Sequence, residues 1–153
     1  MMRSSRTARI SLGLLVLTAA SVGLPATFAP QTFYDDFPFF AGWVELLPPY
    51  NEHLVTDVGG LYLGFTLLFA WAAWRPEPTL VRAASVAWLL VATIHLAFHA
   101  THLEGFGTAD AIGELASLTA LFVPPLLAIW ATTPPWPEAE TNAEVKEPTR
   151  RLP

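Results

Sequence analysis

Long unbroken runs of apolar residues, rather than alternation, set the pattern of this chain. Four of them, over about residues 10–28, 54–74, 83–102 and 109–131, come close to the roughly 20 residues that a helix needs to cross the hydrocarbon core of a bilayer. Backbone in lipid has to satisfy its own hydrogen bonds, which leaves helices or a closed barrel. Barrel strands alternate apolar and polar residues, and these runs do not. The pattern predicts an all-α polytopic membrane protein, a four-transmembrane-helix bundle made of two helical hairpins. The domain organisation reads as a basic N-terminus over residues 1–9, a transmembrane domain over 10–131, and a tail over 132–153. That tail is rich in Pro, Glu and Thr and is expected to be disordered.

The few charges fix an orientation. Arg3, Arg6 and Arg9 precede the first span, Arg75 and Arg82 lie between the second and third, and Lys146, Arg150 and Arg151 follow the fourth. With four spans, all three segments share one side, which the positive-inside rule makes cytoplasmic. Both termini are then cytoplasmic and the membrane is the plasma membrane. The other side carries Asp35, Asp36, Glu45, Glu52, Asp57, Glu104, Asp110 and Glu114 with no basic residue among them. The first span has a rival reading as a cleaved signal peptide, because three arginines, an apolar run and Thr27-Phe28-Ala29 imitate that three-part pattern. The length of the run, and Pro30 directly behind the would-be cleavage point, favour a retained helix.

Composition narrows the function classes. Of 153 residues, 53% are hydrophobic and 14% charged, more apolar surface than one small soluble core can bury. The absence of cysteine excludes a disulfide framework, thiolate-ligated clusters and thiol redox chemistry. Eight basic residues scattered over three segments make no patch for nucleic acid. The bilayer is the expected partner, with another membrane protein as a further one.

All four histidines fall in the outer half of the expected bundle. His95, His99 and His102 follow one another at i, i+4 and i+7, within about 60° on one helix face. His53 and Asp57 form another i, i+4 pair, and that stripe continues to Gly60 and Gly64, small positions expected to let a neighbouring helix approach. Asp110, Glu114 and Ser117 make a third polar stripe, two turns before a kink expected at Pro124-Pro125. Ionisable groups in a membrane turn toward the bundle interior or a water-filled cavity. The expectation is an outward pocket of His53, Asp57, His95, His99 and Glu114, with His102, Asp35, Asp36 and Glu52 at its rim. The loop ahead of the second span holds Phe33, Tyr34, Phe37, Phe39, Phe40, Trp43 and Tyr50 among four prolines. It reads either as a lid over the bundle mouth or as an aromatic belt at the headgroups.

Without thiolates, imidazole and carboxylate are the usual ligands of transition metals. His95 and His99 can chelate one ion from one helix face, with a third ligand from His53, Asp57 or Glu114. Leu96 follows His95, so the general-base glutamate of a metalloprotease helix is missing. Haem held by His95 or His99 opposite His53 is the alternative cofactor, and a proton or cation path through the same groups is another reading. Against these stands a structural role: Glu52 and Asp110 in first helical turns, with Asn51 and Thr108 as N-caps, and His99 and His102 in a last turn, complement the helix dipoles. A structural or assembly subunit, whose polar residues fix helix packing, is therefore the competing class. No Ser–His–Asp order or Gly-rich phosphate loop supports an enzymatic role.

The segments Phe33-Tyr34-Asp35-Asp36-Phe37-Pro38, the stretch from Pro49 to Gly59 and the stretch from His95 to His102 together resemble a group of small actinobacterial four-span membrane proteins. The resemblance extends from about Phe33 to Ser117. It implies an actinobacterial plasma-membrane protein and assigns no activity.

Overall fold

The computed structural model describes residues 3–47 and 49–134. Among these residues the chain forms six helices: α1 (Ser5–Phe28), α2 (Pro30–Asp36), α3 (Glu52–Trp74), α4 (Pro78–Ala100), α5 (Thr108–Ala120) and α6 (Val123–Thr132). Four segments are long and apolar enough to cross a membrane: α1, α3, α4, and α5 with α6 as one span over Thr108–Thr132. At 1.5 Å per residue, 23 to 25 residues reach about 35 Å, more than a hydrocarbon core of about 30 Å. The tail over 135–153 lies outside the described residues.

Local chemistry explains where the helices start. The Ser4 hydroxyl accepts from the Thr7 N–H and starts α1 one turn earlier than the apolar run. Asn51 Oδ1 accepts from the Leu54 N–H at 3.1 Å, as expected of an N-cap. Glu77 accepts from the Leu80 N–H at 3.0 Å, with Pro78 in the first turn. That pairing of cap and proline carries α4 back to residue 78, well before the expected start at 83. Thr108 is the first helical residue of α5 rather than its cap, a place taken by Gly107. Likewise α4 ends at Ala100, so only His99 of the expected pair lies in its last turn.

The fourth span is broken rather than merely kinked. Leu121 N–H donates to Leu118 O and Phe122 N–H to Thr119 O, both at 3.2 Å, closing tight turns at the end of α5. Pro124 and Pro125 follow and have no N–H to offer the carbonyls of Ala120 and Leu121, so the ladder restarts as α6.

Helix α1 is the centre of the packing, lying along α3 most extensively and along α6 next, while α4 packs on α6 and only thinly on α3 and α5. Leu12, Leu15 and Ala19 of α1, Phe69 and Ala72 of α3, Val81, Ala84, Trp88 and Ala92 of α4, and Ala128 of α6 make the buried core. The Trp88 ring stands edge-on to those of Tyr62, Phe65 and Phe69, with centroids 5.5–5.7 Å apart. These residues come mainly from the half of the bundle that carries the arginines. At that basic end Arg9 Nη1 donates to Ala73 O at 2.6 Å, Arg82 donates to Thr132 O, and Ser4 N–H donates to Ala131 O at 3.2 Å. Guanidinium groups thus serve the open C-terminal carbonyls of α3 and α6. Arg3 lies over the Trp130 ring and Arg75 over that of Trp74.

The glycine seam differs from the expected one. Gly60 and Gly64 face open space. The close approach is made instead by Gly59 against Ala26 and Thr27, and by Gly23 against Leu63, where α1 and α3 leave no room for a side chain. Counting helical offsets from Asp57 picks the face of α3 turned about 100° away from α1.

Candidate functional site

At the acidic end, α4 and α5 bring an imidazole and a carboxylate together inside the bundle. His99 Nδ1 and Glu114 Oε1 are 2.5 Å apart, with side chains only 7% and 6% exposed. The contact is close but does not have the alignment of an N–H···O hydrogen bond. Glu114 Oε2 is buried without a partner. One turn earlier on the same face, the His95 ring lies 4.5 Å from that of His99, steeply inclined to it. His102 lies just past the end of α4, stacked on Phe98 at 4.0 Å with its Nδ1 2.8 Å from Phe98 O. It closes the helix end rather than joining the pair.

The other expected members stand apart. His53 Nε2 and Asp57 Oδ2 are 3.4 Å from each other but 87% and 61% exposed, on the side of α3 away from its neighbours. Asp35 accepts from Gln31 Nε2 at 2.8 Å within α2. Partial desolvation of Tyr50, and then the nearby Glu52 and Asp35 carboxylates, raise its phenol above the ordinary value. Asp35 and Glu52 thus belong to an acidic surface group around Tyr50. Ser117 donates to the Glu114 carbonyl of its own helix at 2.8 Å. Among the described residues no three His, Asp or Glu side chains group closely enough to hold a metal ion. His53, 87% exposed, lies outside the interior that holds His99, so the geometry lends no support to a haem between them.

The aromatic loop lies over α5. Trp43 Nε1 donates to Asp110 Oδ1 at 3.2 Å, and the indole covers Gly113, where a Cβ would stand 3.2 Å from the ring. Behind it, Trp43 N–H donates to Phe37 O at 2.9 Å, Phe37 packs on the buried Phe33, and Tyr34 packs on Tyr50. Gly42, at φ +64°, makes the turn that leads into Trp43. The two readings of this loop divide it. Its Trp43 part covers the first turns of α5, and its tip presents Phe39 and Phe40 fully to the surroundings. Trp43 and Gly113 escaped sequence reasoning as a pair because a contact between loop and helix has no periodicity. Their one signal was a glycine next to the carboxylate of the site. Compared with family models, curated proteins and solved structures, the chain has no match.

Proposed function

We propose that this is a multi-pass plasma-membrane protein with its acidic end outward, and that His99 and Glu114 form a proton-exchanging site opening to that side. The supporting observation is the buried contact of 2.5 Å between them. A lone charge at that depth costs a few kcal/mol or more, whereas an imidazole and a carboxylic acid that share one proton stay neutral together wherever it sits. A proton passing between Nδ1 and Oε1 would leave the net charge of the site unchanged, and it requires a rotation of the imidazole that brings the two atoms into hydrogen-bond alignment. His95 is the next acceptor along α4, and the Trp43 part of the loop limits water at the entrance. The metal reading has less support, since among the described residues no three His, Asp or Glu side chains group closely enough to hold an ion, and His53 and Asp57 are largely exposed. The competing reading, a structural or assembly subunit, is favoured by how little of α3 is covered within one chain.

Infrared difference spectra of the reconstituted protein across a pH series test the proposal. A pH-dependent protonated-carboxyl band that disappears in Glu114→Gln and shifts in His99→Gln is expected. A band unaffected by Glu114→Gln would refute it, and so would stoichiometric metal lost on His95→Ala.

A further inference from the structure

The turn between Phe37 and Trp43 holds two bulky side chains in a backbone conformation that such residues rarely take. Phe39 and Phe40 have φ of +48° and +66°, and among the described residues no other non-glycine residue has a positive φ. For a residue with a Cβ this region is sterically unfavourable and persists only where the surrounding structure imposes it. Here Trp43 N–H donates to Phe37 O at the base of the turn, and Ala41 N–H donates to Pro38 O across its tip. The strained conformation gains no cover for the two rings, which are 98% and 88% exposed. From Phe37 to Gly42 no side chain carries a polar atom, so contact with water is unfavourable along the whole tip.

The depth of the turn along the bundle says what meets it. The fourth span, Thr108–Thr132, has 25 residues. At 1.5 Å per residue it is about 37 Å long, so centred on a hydrocarbon core of about 30 Å it overhangs each boundary by about 4 Å. Gly113 stands about 7 to 8 Å along this helix from Thr108, hence about 4 Å inside the boundary at the acidic end. Trp43 covers Gly113 and donates to Asp110 nearer the helix end, as suits a tryptophan at a membrane interface, with an apolar body and a polar N–H. Three residues reach at most about 11 Å, so Phe40 stays within that distance of the Trp43 backbone. Ile112 on α5 is 65% exposed and Leu46 is 42% exposed, so exposed apolar side chains flank Trp43 on the helix and along the loop.

We infer that Phe39 and Phe40 insert into the membrane leaflet at the acidic end, where headgroups meet acyl chains, and pin the loop there beside α5. Lipid is the occupant because Trp43 holds the loop at that depth, next to the exposed side of a span that itself lies in the bilayer. The tip also offers no charge and no side-chain hydrogen bond by which a protein partner could be selected. Asp36 and Glu45, on either side of the turn, resist transfer into lipid and limit the insertion to the interface. The inference requires the spans to lie in a bilayer and uses neither His99 nor Glu114, so it stands or falls apart from the proton site.

The absence of cysteine allows a single spin label at Phe40→Cys, at Glu45→Cys as the water-side reference and at Leu90→Cys, an exposed position within α4, as the lipid reference. In the full chain reconstituted into phosphatidylcholine vesicles, the measurement is collisional relaxation by oxygen, which concentrates in the bilayer, and by a neutral nickel chelate, which stays in water. The oxygen-to-nickel accessibility ratio at residue 40 is expected to be several-fold higher than at residue 45 and to approach that at residue 90. A ratio at residue 40 equal to that at residue 45 would place the tip in water and overturn the inference. Low accessibility to both reagents would place the tip against protein, a second copy of the chain, and would overturn it equally. A water-like ratio at residue 90 would instead refute the membrane spans themselves, and the inference with them.

Discussion

Two adjacent glycines on α3 should respond oppositely to the same substitution. A Cβ on Gly59 would lie 2.6 Å from the Thr27 nitrogen and 2.8 Å from the Ala26 carbonyl carbon. Comfortable contacts are about 3.5–4.0 Å, and because these partners are backbone atoms, α1 and α3 must separate by about 1 Å. Overpacking of this kind costs about 1–3 kcal/mol. On Gly60 the same Cβ meets nothing within 4 Å. Replacing glycine by alanine in a helix is favourable by about 1 kcal/mol at either position, so that contribution cancels between the variants. The gap between them is then the overpacking cost itself, about 1–3 kcal/mol. Gly60→Ala should be more stable than the parent by up to about 1 kcal/mol. Gly59→Ala should range from neutral to about 2 kcal/mol less stable. Reversible unfolding followed by circular dichroism, in detergent dilute enough to keep the chain monomeric, measures both. Equal effects of the two substitutions would show that α1 and α3 do not meet at Gly59.

Two further outcomes concern the aromatic loop and the first span. Trp43→Phe keeps a ring over Gly113 but removes the hydrogen bond to Asp110, a loss of about 0.5–1.5 kcal/mol. Trp43→Ala should in addition expose the start of α5, seen as faster hydrogen exchange over residues 108–113; unchanged exchange would mean that the loop does not cover the helix. Peptides from residues 10–28 should be recovered by mass spectrometry from the mature protein isolated from membranes, because α1 supplies Leu12, Leu15 and Ala19 to the core and lines both α3 and α6. A mature chain whose first residue is Pro30 would refute the retained helix.

The spans were legible in the sequence because crossing a bilayer demands about 20 apolar residues in succession, a signal that needs no knowledge of neighbours. Asn51 was legible as a cap for a similar reason, since its partner Leu54 is three residues away. The contact of His99 with Glu114 was only half legible. Periodicity placed each group on the polar face of its own helix but gave no way to pair the faces, so His53 and Asp57 were drawn into the same pocket. The glycine seam failed by one residue. At 100° per residue, a shift from Gly59 to Gly60 moves the face by about a quarter turn, and nothing in the polar pattern distinguishes the side facing α1 from the side facing outward. Helix α2 and the Trp43 contact depend on loop geometry, for which the sequence had composition but no repeat.

Packing and polarity are separated along the length of the bundle, and this bears on the proton exchange proposed for the buried pair. The aromatic cluster around Trp88 and the carbonyls served by Arg9 and Arg82 tie α1, α3, α4 and α6 together at the basic end. At the acidic end α5 is joined to α6 only through the proline break, packs thinly on α4, and is held by Trp43 and by the contact of Glu114 with His99. A carboxylate in the middle of the aromatic cluster would have no route to water without unfolding the core. Carried on a short helix whose hydrogen-bond ladder ends at Leu121, Glu114 needs only a local movement of α5 to reach the surface. Local openings of this kind cost much less than global unfolding. The bundle therefore keeps its stability in one half and its ionisable chemistry in the half that can yield.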